Sequence, residues 1–346
     1  MHTRPTTVRP RALAAAALAL LLPLATACSS DASGSADGDR VVLRVGELGA
    51  APITQEIFAH LGLDQDLPYD IEWKQFVNAG PEYVEAAGVG AVDVGVTADT
   101  PLIFADAAGA GLQAVAVIGV VDPLENSNNA IVVPEDSDIE SLEDLKGARV
   151  AFQEGTIMQY HVIKALESVG LTLDDIEPVN LPTVDGPTAL AGGDVDALAT
   201  LLIYWAQVEG EGARAIATGA GHIAGNSFIS ARTEALEDPA TAAAIEDLIG
   251  RYAELEEWQA ENPQEWAEFY ADLTGLPVEV VRAGEDRADE VVGPITAEVI
   301  AAQQDQSDVY FEVGVLQERQ DVTAQFDPRF NGLFGAPTDL AELTGD

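Results

Sequence analysis

An α/β fold in two similar lobes, each a mostly parallel sheet flanked by helices, is what this sequence predicts, and three observations carry that prediction. Strand-like and helix-like stretches alternate from Val41 onward, the pattern of βαβ units. The alternation occurs twice in the same order. The two copies also keep nearly the same internal spacing, from Val45 to Gly80 in one and from Val150 to Gly186 in the other.

The first copy opens with the strand "VVLRVGELG" (Val41–Gly49), followed by a helix pattern, "APITQEIFAHLGL", and a strand, "YDIEWKQFV". A Gly80-Pro81 turn, a helix through Val84 to Ala87 and the strand "AVDVGVT" complete it. The second copy opens with "ARVAFQEG" (Ala148–Gly155), then the helix "TIMQYHVIKALESVGL" and a strand around "IEPVNL". A Gly186-Pro187 turn, a helix through Ala189 to Ala191 and the strand "DVDALATLL" follow. A Val-Asp pair recurs at equivalent strand starts, Val92-Asp93 and Val195-Asp196, where a structural role is expected.

Between the copies, Ala114 to Val121 and Ala130 to Val133 read as strands and Asp122-Pro123 through Asn129 as a polar connection. "AGNSFISA" (Ala224–Ala231) reads as a second passage between lobes. Helices are expected over Pro239–Gln259, Pro263–Leu273, Pro277–Val291 and Thr296–Phe311, with prolines at helix starts and Trp258, Trp266, Phe269 and Tyr270 as core. The expected division is 40–122 with 229–346 as the first lobe and 123–228 as the second.

The N-terminus stands apart. Arg4, Arg9 and Arg11 precede the apolar run Ala12 to Leu22, and small residues lead to Cys28, as in a secretory signal (1–27). The run is shorter than the roughly 20 residues of a spanning helix. Cys28 is the only cysteine, so no internal disulfide is possible. Its setting resembles the bacterial lipobox, which implies lipidation at Cys28 and attachment to the outer face of the cell membrane. Alanine stands three residues before it, where leucine is usual. Residues 28–39, rich in Ser, Gly, Ala and Asp, read as a flexible tether.

The net charge is −43, with 16 Lys and Arg against 59 Asp and Glu. Such a balance argues against nucleic acid or anionic lipid surfaces as partners. The acidity reads as a solvated surface of the kind found in proteins that work in high salt. Beyond the signal, His60, His161 and His222 stand at no metal-ligand spacing from one another. Neither a GxSxG elbow nor a GK[ST] phosphate loop is present. No enzyme activity and no cofactor are expected; an enzyme on this scaffold would have only Asp99, Glu154 and His161 to draw on.

Strand-to-helix turns are the features that can bind. In open parallel sheets ligands lie beyond the carboxyl ends of strands, where helix N-termini present free amides and a positive dipole end. Three turns qualify: Glu47-Leu48-Gly49-Ala50, Thr97-Ala98-Asp99-Thr100-Pro101 and Glu154-Gly155-Thr156-Ile157. In the second, capping alone is the competing explanation for the run of hydroxyl, carboxyl and hydroxyl.

The block "NAGPEYVEAAGVGAVDVGVTADTPLIFADAAGAGL", with "SLEDLKGARVAFQEGT" and "VVGPITAEVIAAQQDQSDVYFEVGVL", resembles the aliphatic sulfonate, taurine and nitrate solute-binding proteins of ABC importers. The resemblance implies the two-lobed periplasmic binding protein type II fold, with two crossover segments and a ligand cleft between the lobes. It implies capture of a sulfonate-type anion or zwitterion, delivery to permease subunits, and a monomer. By position it implies that Thr97, Ala98 and Asp99, and Gly155, Thr156 and Ile157, hold the sulfonate. Alkanesulfonate binders tend to have Tyr-Gln where Glu47-Leu48 stands, and a "WDPY"-like turn where Leu201-Leu202-Ile203-Tyr204 stands. Tyr204 and Trp205 are expected as a cleft wall, with Leu48 and Ile157. Glu47 and Glu154 raise a conflict, because a carboxylate disfavours a neighbouring sulfonate. Either they point away, or the ligand also carries a cation, as taurine or an organic cation such as a thiamine precursor would. Nitrate, an aromatic carboxylate and a pyrimidine remain as non-sulfur alternatives.

Overall fold

The structure, a computed structural model, describes residues 40–49, 51–77, 80–287 and 289–344. The expected signal, the Cys28 anchor and the tether lie outside the described residues. No helix among the described residues is long and apolar enough to cross a membrane.

In chain order, β1 (Val42–Leu48), α1 (Ile53–Leu61), β2 (Asp70–Phe76), α2 (Gly80–Gly88), β3 (Val94–Ala98), α3 (Asp99–Ala107) and β4 (Leu112–Val120) make the first copy. The chain then crosses to β5 (Asn129–Pro134). The second copy follows as β6 (Arg149–Phe152), α4 (Ile157–Ser168), β7 (Glu177–Asn180), α5 (Gly186–Gly192), β8 (Ala197–Leu201), α6 (Leu202–Gly210) and β9 (Ala213–Thr218). It returns through β10 (Ser227–Arg232) and ends in α7 (Thr233–Glu237), α8 (Pro239–Glu261), α9 (Pro263–Thr274), α10 (Val278–Glu285), β11 (Glu290–Gly293), α11 (Ala297–Glu312) and α12 (Leu340–Thr344).

The first sheet has the order β11-β4-β10-β3-β1-β2 and the second β7-β6-β8-β5-β9. Both are mixed: four of the six strands of the first sheet and four of the five of the second run in one direction, as expected, and the rest run against them. β2-β1-β3 and β7-β6-β8 are parallel, whereas β10 runs antiparallel to both β3 and β4, and β5 to both β8 and β9. The physical reason lies in the crossovers. The β3-α3-β4 and β8-α6-β9 units each leave a gap one strand wide. The strand entering from the other lobe fills it: β10 on its return, β5 on its arrival. β10 pairs in the first sheet from Ser227 on.

The duplication extends to side chains. Asp93 accepts from the Arg44 amide at 3.0 Å and from Arg44 Nε at 2.8 Å. Asp196 accepts from the Arg149 amide at 2.8 Å and from Arg149 Nε at 3.1 Å. The Val-Asp aspartates therefore tie neighbouring strands at their starts, at the end opposite the strand-to-helix turns. At Gly46 and Gly95 the ring of Tyr83 lies against the backbone, and a Cβ at either would come within 2.8 Å of it. The Tyr83 hydroxyl donates to the Ser230 carbonyl at 2.8 Å, fastening α2 across three strands.

Each sheet buries both faces, as expected of sheets covered by helices. Leu43, Val45, Ile57, Phe58, Leu248 and Tyr252 fill one side of the first sheet, and Phe76, Val92, Leu102, Phe228 and Phe326 the other. Val150, Val162 and Leu166 pack on one side of the second sheet, and Leu190, Leu198 and Trp205 on the opposite side. The helix expected over 277–291 stops at Glu285. The chain instead adds β11 to the edge of the first sheet, against Val117–Val120. Among the C-terminal helices, α10 packs on both α9 and α6, and Gly284 lies against the Ile203 backbone.

Candidate functional site

A helix begins with amides that have no partner inside it, and what satisfies them decides whether a ligand can bind there. Three helix starts follow the carboxyl ends of β1, β3 and β6, and the sequence fills them differently. At α1, the Glu47 side chain turns back over the helix start and accepts from the amides of Thr54 and Gln55. Glu47 is 5% exposed, and burial raises its pKa against the pull of those two amides. The carboxylate that posed a conflict thus occupies the anion position of its own helix.

At α3 the first positions are also taken. The Asp99 amide donates to the Asn226 carbonyl at 3.3 Å, the Thr100 amide donates to the Asp99 carboxylate, and Pro101 has no amide. Thr97, Asp99 and Thr100 are all buried. Gln306 of α11 donates to Thr100 Oγ1 at 2.7 Å, and Gln303 to the Asp99 carbonyl at 3.0 Å. Thr97 Oγ1 has no hydrogen-bond partner. Capping therefore explains Asp99 and Thr100, while Ala98 keeps partial access to solvent.

At α4 the start is open. Gly155 adopts φ 71°, a left-handed conformation suited to glycine, and its amide donates to Gln159 Oε1 at 2.9 Å. Thr156 Oγ1 donates to the Gln153 carbonyl at 2.6 Å. The amides of Thr156, Ile157 and Met158 find no acceptor among the described residues. No carboxylate competes there, because Glu154 points to solvent and shares only its amide, with Asn180. A twelve-residue helix with three free N–H groups at its positive end is a competent oxyanion site.

The two turns meet through α11. Tyr310 donates its hydroxyl to the Thr156 carbonyl at 2.9 Å and lies 3.5 Å from Thr100 Oγ1. Tyr160 of α4 donates to Asp305 of α11 at 2.6 Å. Around these bonds Ile103, Tyr160, Ile163, Val309 and Tyr310 form an apolar cluster drawn from both lobes. Gln303, Gln306 and Tyr310 escaped the reading of the turns; their signal was the C-terminal block that carried the resemblance. A cavity of 220 Å³ borders Asp99, Tyr160, His222 and Gln306 on this side. His161 is buried nearby, and burial lowers its pKa to about 4, so it is neutral at physiological pH.

Similarity to known proteins fits this geometry. The chain is 32% identical to an aliphatic sulfonates-binding protein of Escherichia coli (strain K12), over 88% of this chain and 93% of that one. The chain belongs to this protein family. The family description NMT1/THI5 like matches residues 75–238. Among solved structures, the periplasmic aliphatic sulphonate binding protein SsuA from Escherichia coli is similar at 30% identity and a TM-score of 0.74, covering 82% of this chain and 91% of that one. The alkanesulfonate-binding protein SsuA from Xanthomonas axonopodis pv. citri, bound to MOPS, is similar at 28% identity and a TM-score of 0.74, covering 83% and 98%. These members are binding proteins, and the two-lobed periplasmic binding protein fold is common to them and to this chain.

Within that family frame, Trp205 does not form a cleft wall. It is buried in the core of the second lobe, with Nε1 donating to Glu209 at 3.0 Å and the Arg287 guanidinium 3.7 Å from its ring centre. The reason is its place in α6: it follows the cap by four residues and turns toward the sheet. Tyr204, one residue earlier, is partly exposed. Leu48 is half-buried against the first-lobe core, and Ile157 packs where the α4 core and the interlobe cluster meet. Leu202 opens α6 at φ 48°, a left-handed conformation seldom adopted by leucine.

Asp99 gives a pH signature. Burial pushes its pKa from 3.8 up to about 6, against hydrogen bonds from Thr100 and Gln306. A carboxyl raised on folding contributes stability below its unfolded pKa and loses it as pH rises through the folded one. Asp99→Asn keeps an oxygen for the Thr100 amide. Thermal unfolding should therefore show the variant gaining about 2–3 kcal/mol on the wild type between pH 4 and pH 7. A difference that stays flat across that range would mean that Asp99 titrates normally.

Proposed function

We propose that this protein is the lipid-anchored, extracytoplasmic capture component of an ABC importer. In this reading it takes a sulfonate-type anion or zwitterion between its lobes and delivers it to membrane permease subunits. The three free amides at Thr156, Ile157 and Met158 carry the reading. They supply hydrogen bonds and the positive end of a helix dipole in a chain with few cations to spare, and Gly155 lets a head group approach the backbone. The names of the relatives support the sulfonate, and the Cys28 setting supports the anchor. The lobes close as far as the solute contacts both better than water does.

The test is a thermal-shift series on the full chain with alkanesulfonates, taurine, nitrate, an aromatic carboxylate and a pyrimidine. A solute that binds only the native state at a hundred times its Kd adds about 2.7 kcal/mol and raises Tm. Alkanesulfonates are expected to raise it. Flat curves for every sulfonate remove the organosulfur assignment, and a rise with the pyrimidine alone reassigns the site.

A further inference from the structure

The buried hydroxyl of Tyr310 gives its proton to a carbonyl that is already satisfied. α11 stands against both α3, which follows β3 of the first sheet, and α4, which follows β6 of the second. From there the fully buried Tyr310 donates to the Thr156 carbonyl at 2.9 Å. That oxygen also accepts from two amides of its own helix, Gln159 at 3.0 Å and Tyr160 at 3.3 Å. Among the described residues no other acceptor comes as close to the Tyr310 proton. Thr100 Oγ1 is 3.5 Å away and has its own partners, Gln306 at 2.7 Å and the Asp99 carboxylate at 3.1 Å. The N–H groups of Gln306 and Tyr160 that face the phenol oxygen can only donate to it. Burial raises the pKa of the phenol, so the donor stays protonated across the physiological range.

The ring is held from two sides. Its centre lies 5.9 Å from that of Phe104 on α3 and 6.0 Å from that of Tyr160 on α4. Phe104 also stands against Gly155, where a Cβ would come within 3.6 Å of it. The turn that carries the free amides is therefore bounded on one side by groups from α3 and α11. Tyr160 and Lys164 add two ties from α4 to Asp305 of α11, at 2.6 Å and 3.6 Å.

What the bond does follows from the planarity of the peptide. Thr156 C=O and Ile157 N–H belong to one rigid unit, so a group that holds the carbonyl also fixes the direction of the N–H. That N–H is the middle one of the three left free at the start of α4. Donation to the carbonyl polarises the unit as well, since chained hydrogen bonds strengthen one another by about 10–30% each. We propose that Tyr310 is a positioning residue of the anion site, its hydroxyl aiming and polarising the Thr156–Ile157 peptide from α11 so that the Ile157 N–H meets the head group. Carbonyl and N–H point to opposite sides of the peptide, so Tyr310 acts from behind without touching the solute. The role in capture rests on the reading of α4 as the anion site; the hold on the peptide does not.

The dipeptide Thr-Ile occurs only at 156–157. A full chain with threonine labelled at its carbonyl carbon and isoleucine labelled at nitrogen therefore gives a single NMR correlation, that of this peptide. Tyr310→Phe keeps the ring and leaves the Thr156 carbonyl its two helix amides, so the variant should fold. In the free variant the Thr156 carbon and Ile157 nitrogen resonances should both move upfield. Calorimetry should show butanesulfonate bound about three- to tenfold more weakly than by the wild type. Val309→Ala loosens the same apolar cluster and keeps the hydroxyl. It should lower Tm and leave both the resonances and the affinity in place, whereas a purely structural role for Tyr310 would weaken binding in both variants. Unmoved resonances or an unchanged affinity in Tyr310→Phe, or an equal loss of affinity in Val309→Ala, would overturn the proposal. Should the wild type bind no sulfonate, the reading of the solute falls, and the resonances of the free proteins still decide whether Tyr310 holds the peptide.

Discussion

Replacing Ile157 by proline should weaken alkanesulfonate binding about ten- to hundredfold while the protein remains folded. The substitution removes one of the three free amides at the start of α4, and a hydrogen bond to a charged group is worth about 1.5–3 kcal/mol. The backbone tolerates it. Ile157 is the first helical residue, where proline is favoured because its missing N–H has no partner inside the helix. Thr156 before it sits at φ −131° and ψ 166°, the extended conformation that a following proline requires. The lost side chain is a separate matter, since Ile157 packs partly into two apolar clusters. Ile157→Val trims that packing and keeps the amide, so it should bind almost as the wild type does. Calorimetry on the two variants separates the causes. Unchanged affinity in the proline variant would place the head group away from α4.

The α3 turn has the same kind of residues in sequence, and in the structure its first amides already have partners. Thr97, Asp99 and Thr100 have the right residue types, but a carboxylate one position ahead of Thr100 can satisfy its amide locally, and here it does. Glu47 shows the limit from another side. Its charge was visible, while the turn of its side chain onto the amides of Thr54 and Gln55 depends on how β1 meets α1. That the amides at the α4 start stay open follows from Gly155 and Thr156, which bring no competing carboxylate. Strand order was less so, since an apolar run has no direction and β5 and β10 read alike whether they extend a sheet or fill a gap in it. β11 was hidden because four residues behind a helix carry too little alternation to mark a strand. Trp205 beside Tyr204 could face either way until the angle of α6 on its sheet was fixed.

Asp93→Ala should cost about 3–5 kcal/mol of stability and lower Tm by on the order of 10 °C, the largest single loss expected in the first lobe. Asp93 is buried, and both Arg44 and Arg232 converge on it. Arg44 Nε donates at 2.8 Å and Arg232 Nη2 at 3.2 Å, while Arg44 Nη1 reaches the Gly90 carbonyl. Removing the carboxylate leaves two partly buried guanidinium groups without the anion they share, at the point where β1, β3 and β10 are tied together. The pH dependence follows from the direction of the shift. Burial opposes ionisation of Asp93, but the hydrogen bonds from Arg44 and Arg232 outweigh it and hold the carboxyl below its usual 3.8. A lowered carboxyl contributes fully above its unfolded pKa and loses that contribution as pH falls through the folded value. The Tm gap between wild type and variant should therefore hold from neutral pH down to about 5 and narrow below 4. Its duplicate supplies the control. Asp196 meets Arg149 in the same geometry, but both side chains are more than a third exposed, so water screens the pair and Asp196→Ala should cost markedly less. Equal losses at the two aspartates would mean that burial is not what gives the first pair its strength.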